Sequence, residues 1–212
     1  MRGVIFLLLL SMALQADSFF SKISSIDSTI KARMINGNSY RSGCPVGLED
    51  LRYIRVSHYD FEGNCKTGEL IVHRSIAQET VDIFRDLFRM GYPIRKMELV
   101  SNYNGSDYNS IEADNTSAFN CRFIGGTNKW SNHAYGKAID INPLENPYVG
   151  TNGKTVHKRS VCYLKRVRQS QASTDLAMLL PYDEATQAFK KRGWIWGGDW
   201  YSIKDYQHFE KR

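Results

Sequence analysis

The 212-residue chain is 42% hydrophobic and 12% aromatic, enough apolar material for a sizeable core, and one compact domain is the expected organisation. Its 28 Lys and Arg against 22 Asp and Glu give a net charge of +6 and a pI near 9.1, with the basic residues dispersed rather than gathered in one block. That balance suits a mildly basic surface near anionic polymers, and without zinc-finger spacing, a helix-turn-helix signature or a basic-aromatic run it argues against a nucleic-acid partner.

The chain starts with the pattern of a secretory signal: Arg2, the apolar run "VIFLLLLSMAL", and the small residue Ala16 before Asp17. Residues 1–16 are therefore expected to be removed on export to a periplasmic or extracellular space, with no stable membrane insertion afterwards. An uncleaved N-terminal anchor is the other reading, although the run is short for a span. Export puts Cys44, Cys65, Cys121 and Cys162 in an oxidising compartment, where one or two disulfides are expected among three possible connectivities. Buried free thiols are the alternative. The wide spacing, with no C-x-x-C pair, argues against a cysteine-ligated zinc.

Residues 17–50 are polar and Ser-rich, with little periodicity, and read as an irregular lead-in to a domain covering 51–212. From Tyr53, "YIRVSHYDF" and "ELIVH" alternate around a turn-rich "EGNCKTG" and predict a β-hairpin, with His58 and His73 as ordinary strand residues. "SIAQETVDIFRDLFRMGYP" predicts a helix: Ser75 and Gln78 form a candidate capping box, Ile76, Thr80, Phe84 and Phe88 make an apolar face flanked by Val81 and Leu87, and Gly91 with Pro93 closes it. "PIRKMELV" predicts the next strand. A long polar loop, "SNYNGSDYNSIEADNT", then leads into "SAFNCR".

In "SNHAYGKAIDINP", Ser131 to Pro143, the segment "AIDIN" reads as a strand with Ile139 and Ile141 facing the core. Ala138, Asp140 and Asn142 would share the other face. A bend at Gly136 would bring His133 back over Asp140. A buried Asp–His structural pair is the plain alternative. "LENPYVGTNGKTVHKRS" is a further loop, on which His157 lacks evident metal-site partners. "DEATQAFKKRG" is a short helix ending at Gly193, and the terminal "DYQHFE" adds Asp205 three residues before His208.

A catalytic zinc takes three protein ligands and leaves a fourth position, and imidazole and carboxylate are suitable donors. His133, Asp140 and His208 fit that role. Hydrolysis also needs a general base, and Asp205 is available. An extended segment does not put residues i and i+3 on one face, so a bend between Asp205 and His208 is required.

Together, "SNHAYGKAIDINP", "NPYV", "GWIWGGDW" and "DYQHFE" resemble the zinc peptidases of bacterial cell-wall metabolism. That family includes D-alanyl-D-alanine carboxypeptidases and dipeptidases and L-alanyl-D-glutamate endopeptidases, and its fold recurs in hedgehog signalling domains. The resemblance runs from about Tyr53 to Phe209 and rests on the ordered S-x-H-x-x-G-x-A-x-D and D-x-x-H blocks. It implies zinc held by His133, Asp140 and His208, Asp205 as the catalytic acidic residue, and Arg122 in "FNCR" steadying a substrate carbonyl or oxyanion. It also suggests a Cys44–Cys121 disulfide, because "CPV" and "FNCR" look like family segments.

The implied fold is α+β: a small, mostly antiparallel sheet carrying the zinc site on one face, with helices packed on the other. The implied substrate is a peptidoglycan stem peptide. A non-catalytic, zinc-containing binder of wall peptides is the rival expectation, and no feature assigns an oligomeric state.

Several residues carry two readings. Arg122 could instead pair with a structural carboxylate. Ser131 could bind substrate or bond its own turn. Trp194, Trp196 and Trp200 could line a groove or fill the core, and Asp199 could orient a histidine or satisfy local backbone.

Overall fold

The computed structural model describes residues 18–212; the expected signal at 1–16 lies outside them. Elements in chain order are β1 (Ser21–Ser25), α1 (Ser28–Asn36), β2 (Leu51–Tyr59), β3 (Cys65–His73), α2 (Ala77–Arg89), β4 (Lys96–Met97), α3 (Asp107–Glu112), β5 (Asn115–Thr116), β6 (Ala138–Asp140), β7 (Tyr148–Val149), α4 (Ser173–Leu176), α5 (Glu184–Lys190), β8 (Ile195–Trp196), β9 (Lys204–Asp205) and β10 (His208–Glu210).

The predicted hairpin is β2–β3, paired antiparallel from Leu51 opposite His73 to Tyr59 opposite Cys65. Its alternation separates two faces. Ile54, Val56, Leu70 and Val72 enter the main core with α2, while Leu51 and Ile71 belong to a second cluster on the other side. Helix α2 buries Ala77, Thr80, Val81, Phe84, Leu87 and Phe88, the i, i+3, i+4 spacing that puts one stripe against a sheet. The capping box is corrected: Ser75 lies in a 3₁₀ turn, its N–H donating to His73 Nδ1, and Gln78 donates instead to Asp82. A preceding 3₁₀ turn displaces the helix start, so Ile76 rather than Ser75 precedes its first residue.

The lead-in is not irregular. β1 extends the hairpin into a three-stranded sheet, with Ser21 opposite Val56 and Ser25 opposite Arg52. Helix α1 is capped by Asp27, whose carboxylate accepts from Ile30 N–H at 2.9 Å. It lays Ile30 and Met34 on the second face of the sheet. Only two of its residues are buried, so the apolar periodicity that marks a helix is too sparse to read. The lead-in is thus part of the domain that was expected to begin at residue 51.

The Cys44–Cys121 disulfide, Cα atoms 5.8 Å apart, closes this second cluster, and Cys65 and Cys162 are free and exposed. The strand expected in "PIRKMELV" reduces to the two residues of β4, parallel to β5. The expected long polar loop instead holds a 3₁₀ turn, Val100–Tyr103, and α3, which Ser106 caps through Asn109 N–H. The chain is α+β with small, mostly antiparallel sheets. The larger sheet does not carry the candidate metal residues: Asp140 and His208 lie on a second three-stranded sheet, β6–β10–β8, and His133 on a turn just before β6.

Candidate metal centre

Two segments meet to build the site. β6 and β10 pair antiparallel with His208 directly opposite Asp140. On its other side Asp140 exchanges backbone hydrogen bonds with Ser117, at 2.8 and 2.9 Å, so its main chain is held from both flanks. Ile139 and Ile141 are fully buried, as expected. Asn142 departs from the shared face: its φ is +42°, and its side chain reaches Pro93 O and Arg95 N.

His133 arrives on a 3₁₀ turn, Asn132–Tyr135. Ser131 caps it, Oγ accepting from His133 N–H at 3.3 Å, and Gly136 closes it at φ +66°. A Cβ on Gly136 would stand 2.6 Å from His73 N, so both the left-handed turn and the close seat against β3 require glycine here. The bend expected at Gly136 is present, and it returns His133 to Asp140.

His133 Nε2 lies 3.1 Å from Asp140 Oδ2 and 3.2 Å from His208 Nδ1. His208 Nδ1 lies 3.0 Å from Asp140 Oδ1. All three residues are buried, and one donor atom from each falls within 4.8 Å of the others. Each ring is also fixed from behind. His133 Nδ1 is 2.5 Å from Ala118 O, an acceptor only, so that nitrogen carries the proton. His208 Nε2 faces the Glu210 carboxylate at 3.2 Å and donates in the same way.

The inner nitrogens therefore turn lone pairs toward each other and toward a carboxylate. Three buried acceptors converging without a donor need a positive charge between them. Burial opposes charge on Asp140, but His133 and His208 outweigh it and hold the carboxyl well below the usual range. Burial likewise works against a charged His208, yet Asp140 and Glu210 push it up to about 10, so a proton partly serves that need when no cation does. Two imidazoles and a carboxylate with outer hydrogen bonds fixing their tautomers form a donor set that fits zinc. Among the described residues this is the one group of its kind.

The segment that carries these three residues matches a known family model. Residues 125–211 match the family model described as D-alanyl-D-alanine carboxypeptidase. The match spans the C-terminal part of the chain, less than half of it, and likens that segment to this peptidase family. No curated protein and no solved structure matches the chain.

Within the family segment, the required bend lies at Tyr206 and Gln207. Asp205 pairs with Tyr148 in β7–β9, Tyr206 N–H donates to Pro147 O, and Gln207 O accepts from Ile141 N–H before β10 begins. Asp205 Oδ1 is closed from solvent and has no hydrogen-bond partner. Burial lifts its carboxyl to about 7, although His208 pulls the other way, and the charges of Asp140 and His133 also reach it. Gly197 makes room for it: a Cβ there would stand 2.4 Å from Asp205 O.

The remaining sequence candidates divide. Arg122 pairs through Nη2 with Asp107 Oδ1 at 3.0 Å, and its Nε is buried without a partner. The Asp107 charge also acts on Asp205, which puts this pair in the neighbourhood of the site. Ser131 follows its turn-bonding reading. Trp194 and Trp196 are core, their indole N–H groups held by Glu79 and Tyr206 O. Trp200 leans on the His208 ring, centroids 5.4 Å apart. Asp199 satisfies neither reading, being paired with Lys190 at 2.6 Å. His157 meets Glu112 at 2.6 Å, away from the metal group.

Sequence reasoning missed Glu210, Asn132 and the Ala118 carbonyl. Glu210 had a signal, since strand alternation puts residue i+2 on the face of His208. The Ala118 carbonyl had none, because backbone acceptors carry no residue identity.

Proposed function

We propose that the chain is an exported zinc peptidase that hydrolyses an amide bond in peptidoglycan stem peptides, of the D-alanyl-D-alanine carboxypeptidase or L-alanyl-D-glutamate endopeptidase type. The observation that carries this reading is the convergence of His133, Asp140 and His208, inside the family-matched segment, beside a carboxylate with an unpartnered buried oxygen.

His133 Nε2, His208 Nδ1 and Asp140 would hold a zinc ion. Bound there, zinc would supply Lewis acidity to polarise the scissile carbonyl and favour a nucleophilic water near neutral pH. Asp205 accepts the proton of the attacking water and returns it to the leaving amine. Its carboxyl, lifted to about 7 by burial, suits both transfers, because a group that titrates near the working pH can both take and give a proton. Arg122 steadies the carbonyl oxygen as negative charge develops, held in place by Asp107. Ser131 commits its oxygen to the His133 turn, leaving its hydroxyl hydrogen to meet the substrate.

Mass spectrometry of purified muropeptides incubated with zinc-loaded protein tests the proposal. Loss of a terminal D-Ala identifies a carboxypeptidase, and cleavage between L-Ala and D-Glu an endopeptidase. Tight binding of wall peptides with no cleavage of any would overturn it in favour of a non-catalytic binding domain.

A further inference from the structure

One carboxylate oxygen joins the two histidine-bearing segments. Glu210 Oε2 accepts from Asn132 Nδ2 at 2.6 Å and faces His208 Nε2 at 3.2 Å. Asn132 immediately precedes His133 on the 3₁₀ turn, whereas His208 lies 75 residues further along the chain from His133. Glu210 itself stands on β10, opposite Ala138 of β6 and Ile195 of β8. Its backbone is thus fixed on both sides by the sheet that also carries Asp140.

We propose that Glu210 is a positioning residue for the metal site: together with Asn132 it forms a clasp that fixes the His208 ring, assigns Nδ1 to the metal, and keeps the His133 turn in register with β10. The inference rests on the zinc reading above. An imidazole can coordinate through either nitrogen, and the hydrogen bond at one selects the other. The His208 ring is bounded by Asp140 on its Nδ1 edge, Glu210 on its Nε2 edge and Trp200 against the ring. Of these, Glu210 alone contacts Nε2 with an acceptor, and the same oxygen also holds Asn132 beside the other histidine. Without it, a ring flip that turns Nε2 inward loses its main opposition, and Asn132 loses its partner.

Zinc affinity by chelator competition, read alongside the ring tautomer of His208 by ¹⁵N NMR of the zinc-loaded protein, tests this. Wild type and H208A set the two limits. E210A is expected to bind zinc ~10–100-fold more weakly than wild type, the usual cost of removing such an outer partner, with loss of the single Nε2–H tautomer. E210Q offers an oxygen to both donors and is expected to recover most of the affinity and the tautomer. N132A should weaken zinc severalfold while the His208 tautomer persists.

Zinc affinity in E210A within twofold of wild type, with the tautomer unchanged, would overturn the proposal. If E210A fails to fold, E210Q and N132A decide it: an E210Q protein with a scrambled tautomer, or an N132A protein equal to wild type, overturns it. Wild type that binds no zinc, or H208A that binds as well as wild type, would instead remove the zinc reading itself.

Discussion

His133 Nε2 and His208 Nδ1 stand 3.2 Å apart with each ring's other nitrogen already committed, to Ala118 O and to Glu210. As neutral rings, neither can donate inward without giving up its outer bond, so in that state the pair presents two lone pairs to the Asp140 carboxylate. That arrangement is stable only around a positive charge, and it makes the site's response to mutation predictable.

Replacing His208 with Ala removes one of three converging donors, and zinc content should fall from near one equivalent to a small fraction under the same dialysis conditions. Elemental analysis of the purified variant reads this directly. Undiminished zinc would exclude His208 as a ligand.

Asp205→Asn keeps the shape of the side chain while removing the proton acceptor, so zinc and fold should persist while stem-peptide hydrolysis drops by ~10²–10⁴-fold. The comparison is kcat on a defined stem peptide for metal-loaded wild type and variant. Equal rates would remove Asp205 from the mechanism.

The Cys44–Cys121 disulfide closes a separation of 77 residues and fastens the segment after α1 to the strand of chain that leads to Arg122. On the loop-entropy model its loss should cost about 4 kcal/mol. Urea denaturation of the Cys44→Ala, Cys121→Ala double variant, which leaves no new free thiol, measures it. A loss below about 1 kcal/mol would mean that the unfolded chain is already constrained in this region.

Glu145 is buried, with Oε2 unpartnered. Burial first, and then the Asp114 carboxylate, raise its carboxyl from 4.5 to about 9. Between those values the folded chain holds a proton that the unfolded chain has released, so this group's contribution to stability is complete below about 4.5 and is lost as pH rises toward 9. Glu145→Gln stays neutral throughout. Its urea midpoint should therefore decline less than that of wild type between pH 5.5 and pH 8, and an identical decline in both proteins would show that Glu145 does not hold the proton.

Local patterns in the sequence determined the elements whose apolar spacing is dense. The β2–β3 hairpin and α2 each bury a regular stripe, and α5 follows its predicted segment, Glu184–Lys190 within "DEATQAFKKRG". That His133, Asp140 and His208 belong together was legible as well, because chemistry restricts the residue types that can share a metal-binding group. The tertiary structure decided the rest. The packing that makes β1 and α1 part of the domain rests on two buried α1 residues and a disulfide, too little periodicity to see along the chain. The tautomers of His133 and His208 are set by a backbone carbonyl 15 residues away and by a carboxylate also held by Asn132, 78 residues away. Such contacts follow from which segments the sheet brings side by side. The sequence names the candidate donors, and their shared direction exists only once β6, β10 and the His133 turn are packed together.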